Sequence, residues 1–236
     1  MMNVVKGVEI KMKKIGIICA VERELAPYLK VIENEIISQN AMLTFHEGKI
    51  NGVCVVMLFC GVCKVNAAIA TQLLIDKYYV DCVIVSGTAG GMDAEVKLFD
   101  TVISTEVCYH DVKDEILTEY HPWLKNPHFN AAEELLLCFK KALNDTVHFG
   151  RIATGEAFID THGRQEINDL LKPLCVDMET AAVAHVCYVN GIPFIAVRSI
   201  SDTESESGTA TFDENCKAAS EKSFQTVMSA LPSVAL

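Results

Sequence analysis

The sequence predicts an α/β fold of three layers (αβα), in which helices cover both faces of a central, twisted, mixed sheet. Short runs rich in apolar and β-branched residues alternate with amphipathic helical segments along the whole chain. This alternation is typical of strands that form a largely parallel or mixed sheet buried on both faces. Half of the 236 residues are apolar, which suffices to bury the core of one large domain.

The first half of the chain begins with a predicted buried strand, IGIICAV at 15–21, and a helix at 24–35. Asn51-Gly52 separates two apolar runs and is a strong hairpin signal, so 42–50 and 53–61 are predicted to be paired strands. The remaining predictions in this half are a helix at 65–78, a buried strand with a glycine-rich end at 82–91, and a strand at 101–110.

The second half continues the alternation of strands and helices. A helix is predicted at 130–145 with Asn130 as its N-cap. Gly191 is expected to end a helix at 179–190. The other predictions are a strand and loop at 151–159, a helix beginning at 164–166, a short strand at 175–178, a strand at 194–202 and a last helix near 213–230.

The charge and the N-terminus exclude several classes of protein. A formal net charge of -11 disfavours binding to nucleic acid or to an anionic membrane, because phosphates would be repelled. The N-terminal segment lacks the features of a signal peptide, and no apolar run is long enough to span a bilayer. We expect residues 1–12 to form an N-terminal extension and residues 13–236 to form a single domain.

The ten cysteines lie mostly inside apolar stretches such as DCVIV. They are interpreted as small buried side chains in a reducing cytoplasm and not as a disulfide framework. No group of cysteines and histidines has the spacing of zinc ligands. The sequence therefore predicts a cytoplasmic protein without a metal site.

Carboxylates and glycine turns follow several of the predicted strands. Since ligands in such sheets bind beyond the carboxyl ends of the strands, these residues are expected to gather in one acidic pocket. Cleavage of a glycosidic bond needs an acid for the leaving group and a base for water, and this set supplies both. The strand-end residues are Glu22 to Glu24, Cys60 to Lys64, Ser86 to Gly91, Glu156, Phe158, Ile159, Asp177 to Glu179, Ser201 and Asp202.

A family resemblance accompanies this pattern. The motifs AVERE, GVCKVNAAIA, SGTAGG, YHD, GEAFI, VDME and VRSISD occur in the order and spacing of the methylthioadenosine/S-adenosylhomocysteine nucleosidases. These enzymes belong to the purine nucleoside phosphorylase superfamily, and the resemblance extends from Lys13 to about Leu231. It implies a nucleoside phosphorylase-like fold and hydrolysis of a 5′-substituted adenosine to adenine and a 5′-thioribose, a methionine-salvage reaction that needs no cofactor.

The resemblance implies catalytic roles for two carboxylates. Glu24 corresponds to the residue that helps to activate the attacking water. Asp202 corresponds to the acid that protonates N7 of the purine, with Ser201 beside it. For Asp202 to hold a proton near neutrality, its pKa must be raised by an apolar wall or by nearby carboxylates.

The remaining site residues implied by the resemblance bind the substrate. Glu179 corresponds to the ligand of the ribose hydroxyls, at a helix start where backbone N–H groups favour a carboxylate. Asp177, two residues earlier, is assigned a structural role. The other implied positions are Met178 beneath the sugar, Phe158 and the backbone of Ile159 at the adenine, and Val62 and Thr88 in the pocket wall.

Water is predicted to be the nucleophile, although a nucleoside phosphorylase of the same fold is the alternative. Val85 stands where bacterial purine phosphorylases keep an arginine, and Glu24 would repel a phosphate dianion. Arg198 could bind an anion, but Glu179 and Asp202 are equally available as its structural partners.

Two departures from the family pattern concern the pocket. Cys63 replaces the usual glycine of a GIGK-like turn. DVKDEILTEYHPWLKNPHF replaces the family's loop after YHD, which leaves an adenosine-preferring nucleosidase open, with His121, Trp123 and Phe129 as residues that could close the pocket. The resemblance also implies a homodimer in which 109–129 lies near the partner's site.

A protein of another class is the main rival interpretation. Cys60-Gly-Val-Cys63 precedes a helix, and this spacing can lower a thiol pKa, as in thiol redox proteins. The chain is longer than a thioredoxin-like domain and lacks the tryptophan that usually precedes the motif. A relative that binds a nucleoside without cleaving it is the third possibility, and retention of Glu24 and Asp202 argues against it.

Overall fold

A computed structural model describes residues 13–121, 123–143, 147–160, 162–206 and 208–235. The predicted extension at 1–12 lies outside these ranges. The strands are β1 (Lys14–Cys19), β2 (Glu33–Asn40), β3 (Leu43–Ile50), β4 (Val53–Phe59), β5 (Cys82–Gly91), β6 (Thr101–Tyr109), β7 (Phe129–Asn130), β8 (Val147–Thr154), β9 (Cys175–Asp177) and β10 (Phe194–Asp202). The helices are α1 (Glu22–Leu29), α2 (Lys64–Tyr78), α3 (Asp114–Glu119), α4 (Glu133–Ala142), α5 (Arg164–Leu171), α6 (Thr180–Asn190) and α7 (Thr209–Val234).

The described strands form one mixed sheet, as predicted. Its order is β10-β6-β8-β9-β5-β1-β4-β3-β2, with β7 paired to β6. Strands β1, β4, β5 and β10 run parallel to one another, whereas β3 is antiparallel to β4 and β6 is antiparallel to β10. A further pairing of β10 with β5 closes five strands into a ring.

The helices cover the sheet from two sides, which confirms the three-layer prediction. Helices α1, α4 and α7 pack together over one face, where Leu25, Leu135 and Val227 belong to one apolar cluster. Helices α2 and α6 cover the other face, where Leu74 and Val183 belong to a second cluster. Helix α5 packs through Ile167 and Leu171 against a smaller third cluster. Burial of these side chains is the main favourable contribution to folding.

The parallel strands bring their carboxyl ends to one edge of the sheet. Cys19 at the end of β1 lies beside Phe59 at the end of β4, and Thr88 in β5 lies beside Ser199 in β10. The turns after β1 and β4 are joined by backbone hydrogen bonds, including one of 3.0 Å from Gly61 N to Ala20 O. Loops distant in sequence are therefore held next to each other at this edge.

Two sequence predictions are wrong. The helix predicted at 24–35 ends at Leu29, and Glu33 begins β2, an edge strand that pairs only with β3 among the described strands. Asn130 does not cap a helix. It lies in β7, paired with Glu106, and α4 begins three residues later after Ala132. In both cases strand pairing overrides the local helical pattern, with the adjacent strand β3 for β2 and with Glu106 of β6 for Asn130.

Other boundaries follow the sequence closely. Asn51-Gly52 forms the predicted hairpin between β3 and β4, and both residues have positive φ, 49° and 80°. Gly191 ends α6 in the left-handed conformation with φ 66°. The last helix is longer than predicted, because α7 extends from Thr209 to Val234.

Candidate active site

A cavity of about 400 Å³ opens at the carboxyl ends of the parallel strands, the position expected for a ligand site in such sheets. Its wall combines carboxylates with apolar and aromatic side chains, which suits a polar molecule with a flat apolar part. The structure brings together all nine predicted site residues in this wall, namely Glu24, Val62, Thr88, Phe158, Ile159, Met178, Glu179, Ser201 and Asp202.

Glu24 lies in the first turn of α1 and is only 3% exposed. One carboxylate oxygen, Oε2, accepts hydrogen bonds from the backbone N–H groups of Ala20 (2.8 Å) and Val21 (3.2 Å). The other, Oε1, accepts from the N–H (2.7 Å) and the hydroxyl (2.8 Å) of Thr88. These donors stabilise an ionised carboxylate away from water. Glu24 is thus a fixed acceptor and not a solvated helix charge.

The strand beneath Glu24 leaves no room for a side chain. A Cβ at Gly87 would lie 2.5 Å from Oε1 of Glu24 and 2.7 Å from Nη1 of Arg198. Glycine is therefore required at this position of β5, because only a bare backbone lets a carboxylate and a guanidinium approach so closely.

Arg198, in the middle of β10, is fully buried and holds the floor of the site together. Its Nε lies 2.8 Å from Oδ2 of Asp177, and its Nη2 lies 3.2 Å from Oε2 of Glu179. It also donates to the carbonyl of Thr88 and to the hydroxyl of Thr180. Of the two partners expected from the sequence, Glu179 is confirmed, whereas Asp177 takes the place of Asp202. Because both carboxylates bind the guanidinium, Arg198 is not an available anion ligand.

Asp177 and Glu179 divide the roles at the start of α6. Asp177 accepts from the N–H groups of Glu179 (3.3 Å) and Thr180 (3.1 Å) and from the hydroxyl of Thr154 (2.6 Å). It therefore caps the helix, as its predicted structural role requires. Glu179 makes no capping bond of its own, contrary to the expected use of the helix N–H groups.

The carboxylate of Glu179 instead reaches across to the turn after β4. Its Oε1 accepts a hydrogen bond of 3.0 Å from the backbone N–H of Cys63. Burial raises the pKa of Glu179 to about 7, although the positive charge of Arg198 opposes this shift. A strong acceptor is thus fixed at the cavity wall, between α6 and the turn that carries Val62.

Asp202 ends β10 and is 2% exposed. The hydroxyl of Ser201 donates to its Oδ1 at 2.8 Å, whereas Oδ2 has no hydrogen-bond partner among the described residues. Burial raises the pKa of Asp202, and the hydrogen bond from Ser201 and the charge of Arg164 partly offset this effect. A carboxyl group in this setting can keep a proton and donate it into the cavity.

The outer wall contains residues that the sequence alone did not indicate. Phe158, 39% exposed, meets the ring of Phe212 edge to face with centroids 6.2 Å apart. Arg23 lies over Phe212 at 5.6 Å and pairs with Asp213 at 2.8 Å. Phe212 and Asp213 belong to the first turns of α7 and follow Asp202 by ten and eleven residues. The sequence signal that could have indicated Phe212 and Asp213 is that they follow the VRSISD motif closely.

None of the described residues in the region after YHD, 111–121 and 123–129, lines this cavity. Phe129 is buried and stacks on His185, with ring centroids 4.9 Å apart. His121 lies 3.3 Å from His185, nitrogen to nitrogen, and Trp123 is 73% exposed. None of these residues belongs to the cavity wall described above.

The structure does not favour a redox role for Cys60 and Cys63. Both thiols are free, as are the other eight cysteines. Burial raises the pKa of Cys60 and, with the nearby carboxylate of Glu156, that of Cys63. Reactive thiols require the opposite shift. Cys63 contributes its backbone to the site and is not itself part of the cavity wall.

Two further findings bear on the predictions. Within the described ranges, no group of three or more His, Cys, Asp and Glu side chains could hold a metal ion. None of the helices in the described part of the chain combines the length and the apolar character needed to cross a membrane.

The mixed sheet and the acids at its strand ends define the class of protein. The chain belongs to the phosphorylase superfamily, whose family profile matches residues 14–232. Its curated relatives identify the particular group, the 5′-methylthioadenosine/S-adenosylhomocysteine nucleosidases. The relative from Exiguobacterium sp. is 37% identical over 225 residues, which cover 91% of this chain and 96% of the relative. That from Maridesulfovibrio salexigens is 35% identical over 230 residues, which cover 92% and 98%. The family recognised from the motifs is confirmed.

Solved structures agree with this assignment. The nucleosidase of this name from Neisseria meningitidis, in complex with methylthio-immucillin-A, is 31% identical with a TM-score of 0.86 and covers 94% of this chain and all of its own. The enzyme from Colwellia psychrerythraea, in complex with adenine, is 34% identical with a TM-score of 0.86, covering 94% and 96%. Futalosine hydrolase of Helicobacter pylori is 25% identical with a TM-score of 0.86, covering 94% and 98%.

Proposed function

We propose that this enzyme hydrolyses the N-ribosidic bond of 5′-methylthioadenosine, S-adenosylhomocysteine or a related 5′-substituted adenosine and releases adenine. The observation that carries the proposal is the meeting of Glu24, Glu179 and Asp202 around one cavity. The names of the curated relatives and the adenine and methylthio-immucillin-A bound by solved relatives support it.

Asp202 acts as the general acid. Its Oδ2 has no hydrogen-bond partner in the described part of the chain, and burial raises its pKa, so the protonated form persists at higher pH than for an exposed aspartate. Donation to N7 turns adenine into a better leaving group as the ribose approaches an oxocarbenium-like state. Ser201 keeps the carboxyl oriented through its bond to Oδ1.

Glu24 orients the attacking water and accepts its proton. Four hydrogen bonds from the N–H groups of Ala20, Val21 and Thr88 and from the Thr88 hydroxyl fix both of its oxygens. A water placed against this carboxylate attacks the anomeric carbon on the face opposite the departing base. The acid and the base thus come from the ends of different strands, β1 and β10.

The remaining side chains hold the sugar and the base. Glu179 accepts hydrogen bonds from the ribose hydroxyls, and Met178 packs beneath the sugar. Phe158 stacks on the adenine, whose edge meets the backbone of Ile159. Val62 and Thr88 complete the wall.

Water is favoured over phosphate as the nucleophile. The guanidinium of Arg198 is occupied by Asp177 and Glu179. Val85 is 1% exposed in the core and offers no charge. Arg23, at the mouth, is paired with Asp213. With Glu24 as the fixed anion beside the nucleophile position, a phosphate dianion would be repelled.

The reaction is tested by adenine release with and without inorganic phosphate. We expect turnover that does not depend on phosphate and is reduced at least about 100-fold in Asp202→Asn, the magnitude typical of a lost general acid. Asp202→Asn should still bind the nucleoside, measured by calorimetry. A strict requirement for phosphate would contradict hydrolysis, and near-normal turnover of Asp202→Asn would contradict the acid role.

The preferred 5′-group is tested by comparing the rates of cleavage of several nucleosides. The substrates compared are methylthioadenosine, S-adenosylhomocysteine, adenosine and futalosine, the last because a futalosine hydrolase shares this fold with the same TM-score as two of the nucleosidases. The ratio of kcat/KM values ranks them directly. We expect the thio-substituted nucleosides to lead. A preference for adenosine would establish the adenosine-preferring alternative, and one for futalosine would establish a futalosine hydrolase.

The enzyme is further proposed to be a cytoplasmic homodimer that acts in methionine salvage. Its ten free cysteines suit a reducing compartment. Helices α2, α3 and α6 carry a set of exposed apolar side chains, Val65 (68%), Ile69 (45%), Ile116 (53%) and Tyr188 (45%), which suits a contact with a second copy. Light scattering should give twice the chain mass, and Val65→Asp with Ile69→Asp should shift it to the monomer. A monomeric wild-type protein would exclude the dimer.

A further inference from the structure

Arg164, the first residue of α5, is 3% exposed and lies outside the cavity wall. Its Nη1 donates to the carbonyl of Gly91 at 2.6 Å, and its Nε donates to the carbonyl of Asp160 at 3.0 Å. Its Nη2 has no hydrogen-bond partner among the described residues. Burial of a cation is costly, and the hydrogen bonds to two backbone carbonyls offset part of that cost.

The two carbonyls belong to segments that adjoin the cavity wall, because Gly91 follows Gly90 and Asp160 follows Ile159, and both Gly90 and Ile159 line the cavity. Gly91 ends β5 next to Gly90, where a Cβ would lie only 3.0 Å from Oδ2 of Asp202. Asp160 directly follows Phe158 and Ile159 in the loop assigned to the purine base. One guanidinium therefore joins the strand end beside the acid to the loop that receives the base.

The charge of Arg164 also reaches the acid. The groups that interact electrostatically with Asp202 are the hydroxyl of Ser201 on β10, the thiol of Cys175 on β9 and the guanidinium of Arg164 on α5. Arg164 is the cation among them, and its charge lowers the pKa of Asp202 against the upward effect of burial.

We propose that Arg164 is a positioning residue of this enzyme, whose buried guanidinium clamps the purine-binding loop to the end of β5 and sets the electrostatic environment of Asp202. The inference rests on the proposed function, because it assigns Asp202 as the acid and Phe158 with Ile159 as the base site. The geometry separates two contributions of Arg164. Its two hydrogen bonds fix the loop, and its charge acts on the acid.

Two substitutions distinguish these contributions. Arg164→Met removes both the bonds and the charge, so KM should rise about tenfold and the alkaline limb of kcat/KM against pH should move to higher pH. Arg164→Lys keeps the charge but cannot reach both carbonyls, so KM should rise about threefold while the limb stays in place. Adenine release from methylthioadenosine between pH 5 and 9 measures both quantities.

Arg151→Met is the matched control. Arg151 also donates to a backbone carbonyl, that of Leu171 at the other end of α5, and pairs with Glu106 at 2.7 Å, but it does not line the cavity. Its replacement should lower the melting temperature without changing KM or the pH profile. The inference is overturned when Arg164→Met behaves like Arg151→Met in both quantities.

Two further results bear on the role of Arg164, namely the folding of Arg164→Met and the turnover of Asp202→Asn. Should Arg164→Met fail to fold, Arg164→Lys alone decides, since an unchanged KM contradicts the clamp and a raised KM with an unmoved limb supports it. Asp202→Asn is measured in parallel. Near-normal turnover there overturns the proposed function and this inference with it, whereas strong loss there together with wild-type behaviour of both Arg164 variants overturns this inference alone.

Discussion

Replacing Cys63 by glycine is expected to stabilise the protein. Cys63 has φ 85° and ψ 161°, a region of backbone conformation that is essentially restricted to glycine. Its N–H donates to Oε1 of Glu179, so the strained conformation aims a donor at the cavity wall. The substitution keeps this N–H and removes only the side chain that resists the conformation.

The magnitude follows from three contributions. A residue held in this region costs about 1–3 kcal/mol. Glycine loses more backbone entropy on folding than cysteine does, which offsets about 0.5–1 kcal/mol of this stabilisation. The half-buried thiol contributes a contact with Glu156 that is also lost. The net expectation is a free energy of unfolding raised by about 1 kcal/mol, or a melting temperature raised by about 2–4 °C for a chain of this length.

The assay compares the thermal and urea unfolding of wild type, Cys63→Gly and Cys63→Ala. Alanine removes the thiol but keeps the Cβ and hence the strain, so it isolates the backbone effect. Adenine release should keep its KM in Cys63→Gly, because the bond to Glu179 is made by the backbone. Equal stability of the glycine and alanine variants would refute the reasoning, because it would mean that no strain is relieved at Cys63.

Three other predictions concern the buried charges. Gly87→Ala should displace Glu24, lowering kcat and costing about 1–3 kcal/mol of stability by overpacking, as measured by urea unfolding; an unchanged kcat would contradict this. Arg198→Met should cost about 3–5 kcal/mol, because it leaves Asp177 and Glu179 buried without a cation, and a neutral result would refute the network. Folding raises the pKa of Glu179 from 4.5 to about 7, so between these pH values the folded state binds a proton that the unfolded state has lost. The contribution of Glu179 to the free energy of unfolding therefore falls as the pH rises from 4.5 to about 7. The urea midpoints of unfolding at pH 5 and pH 7 should differ less in Glu179→Gln than in wild type. An equal difference in the two proteins would contradict the raised pKa of Glu179.

Local chemistry determined much of this protein. The Asn51-Gly52 hairpin and the glycine end of α6 at Gly191 follow from backbone preferences that act over a few residues. The polar residues after each buried strand were visible as interruptions of apolar runs. Because parallel strands bring their carboxyl ends to one edge, the acids that follow them were expected to gather there, and Glu24 and Asp202 do line one cavity. Their proposed roles as base and acid came from the family resemblance.

Tertiary structure decided what depends on pairing and packing partners. Residues 33–35, predicted to be helical, instead begin β2, which pairs with the neighbouring strand β3. Asn130, predicted to be a helix cap, pairs with Glu106 of β6. The closure of β10 on β5 leaves no trace in the local pattern of either strand. Arg164 was unremarkable in the sequence, since only the fold brings the carbonyls of Gly91 and Asp160 to its guanidinium. Contacts between residues far apart in the chain are set by packing, and short-range patterns carry no record of which residue will supply the partner.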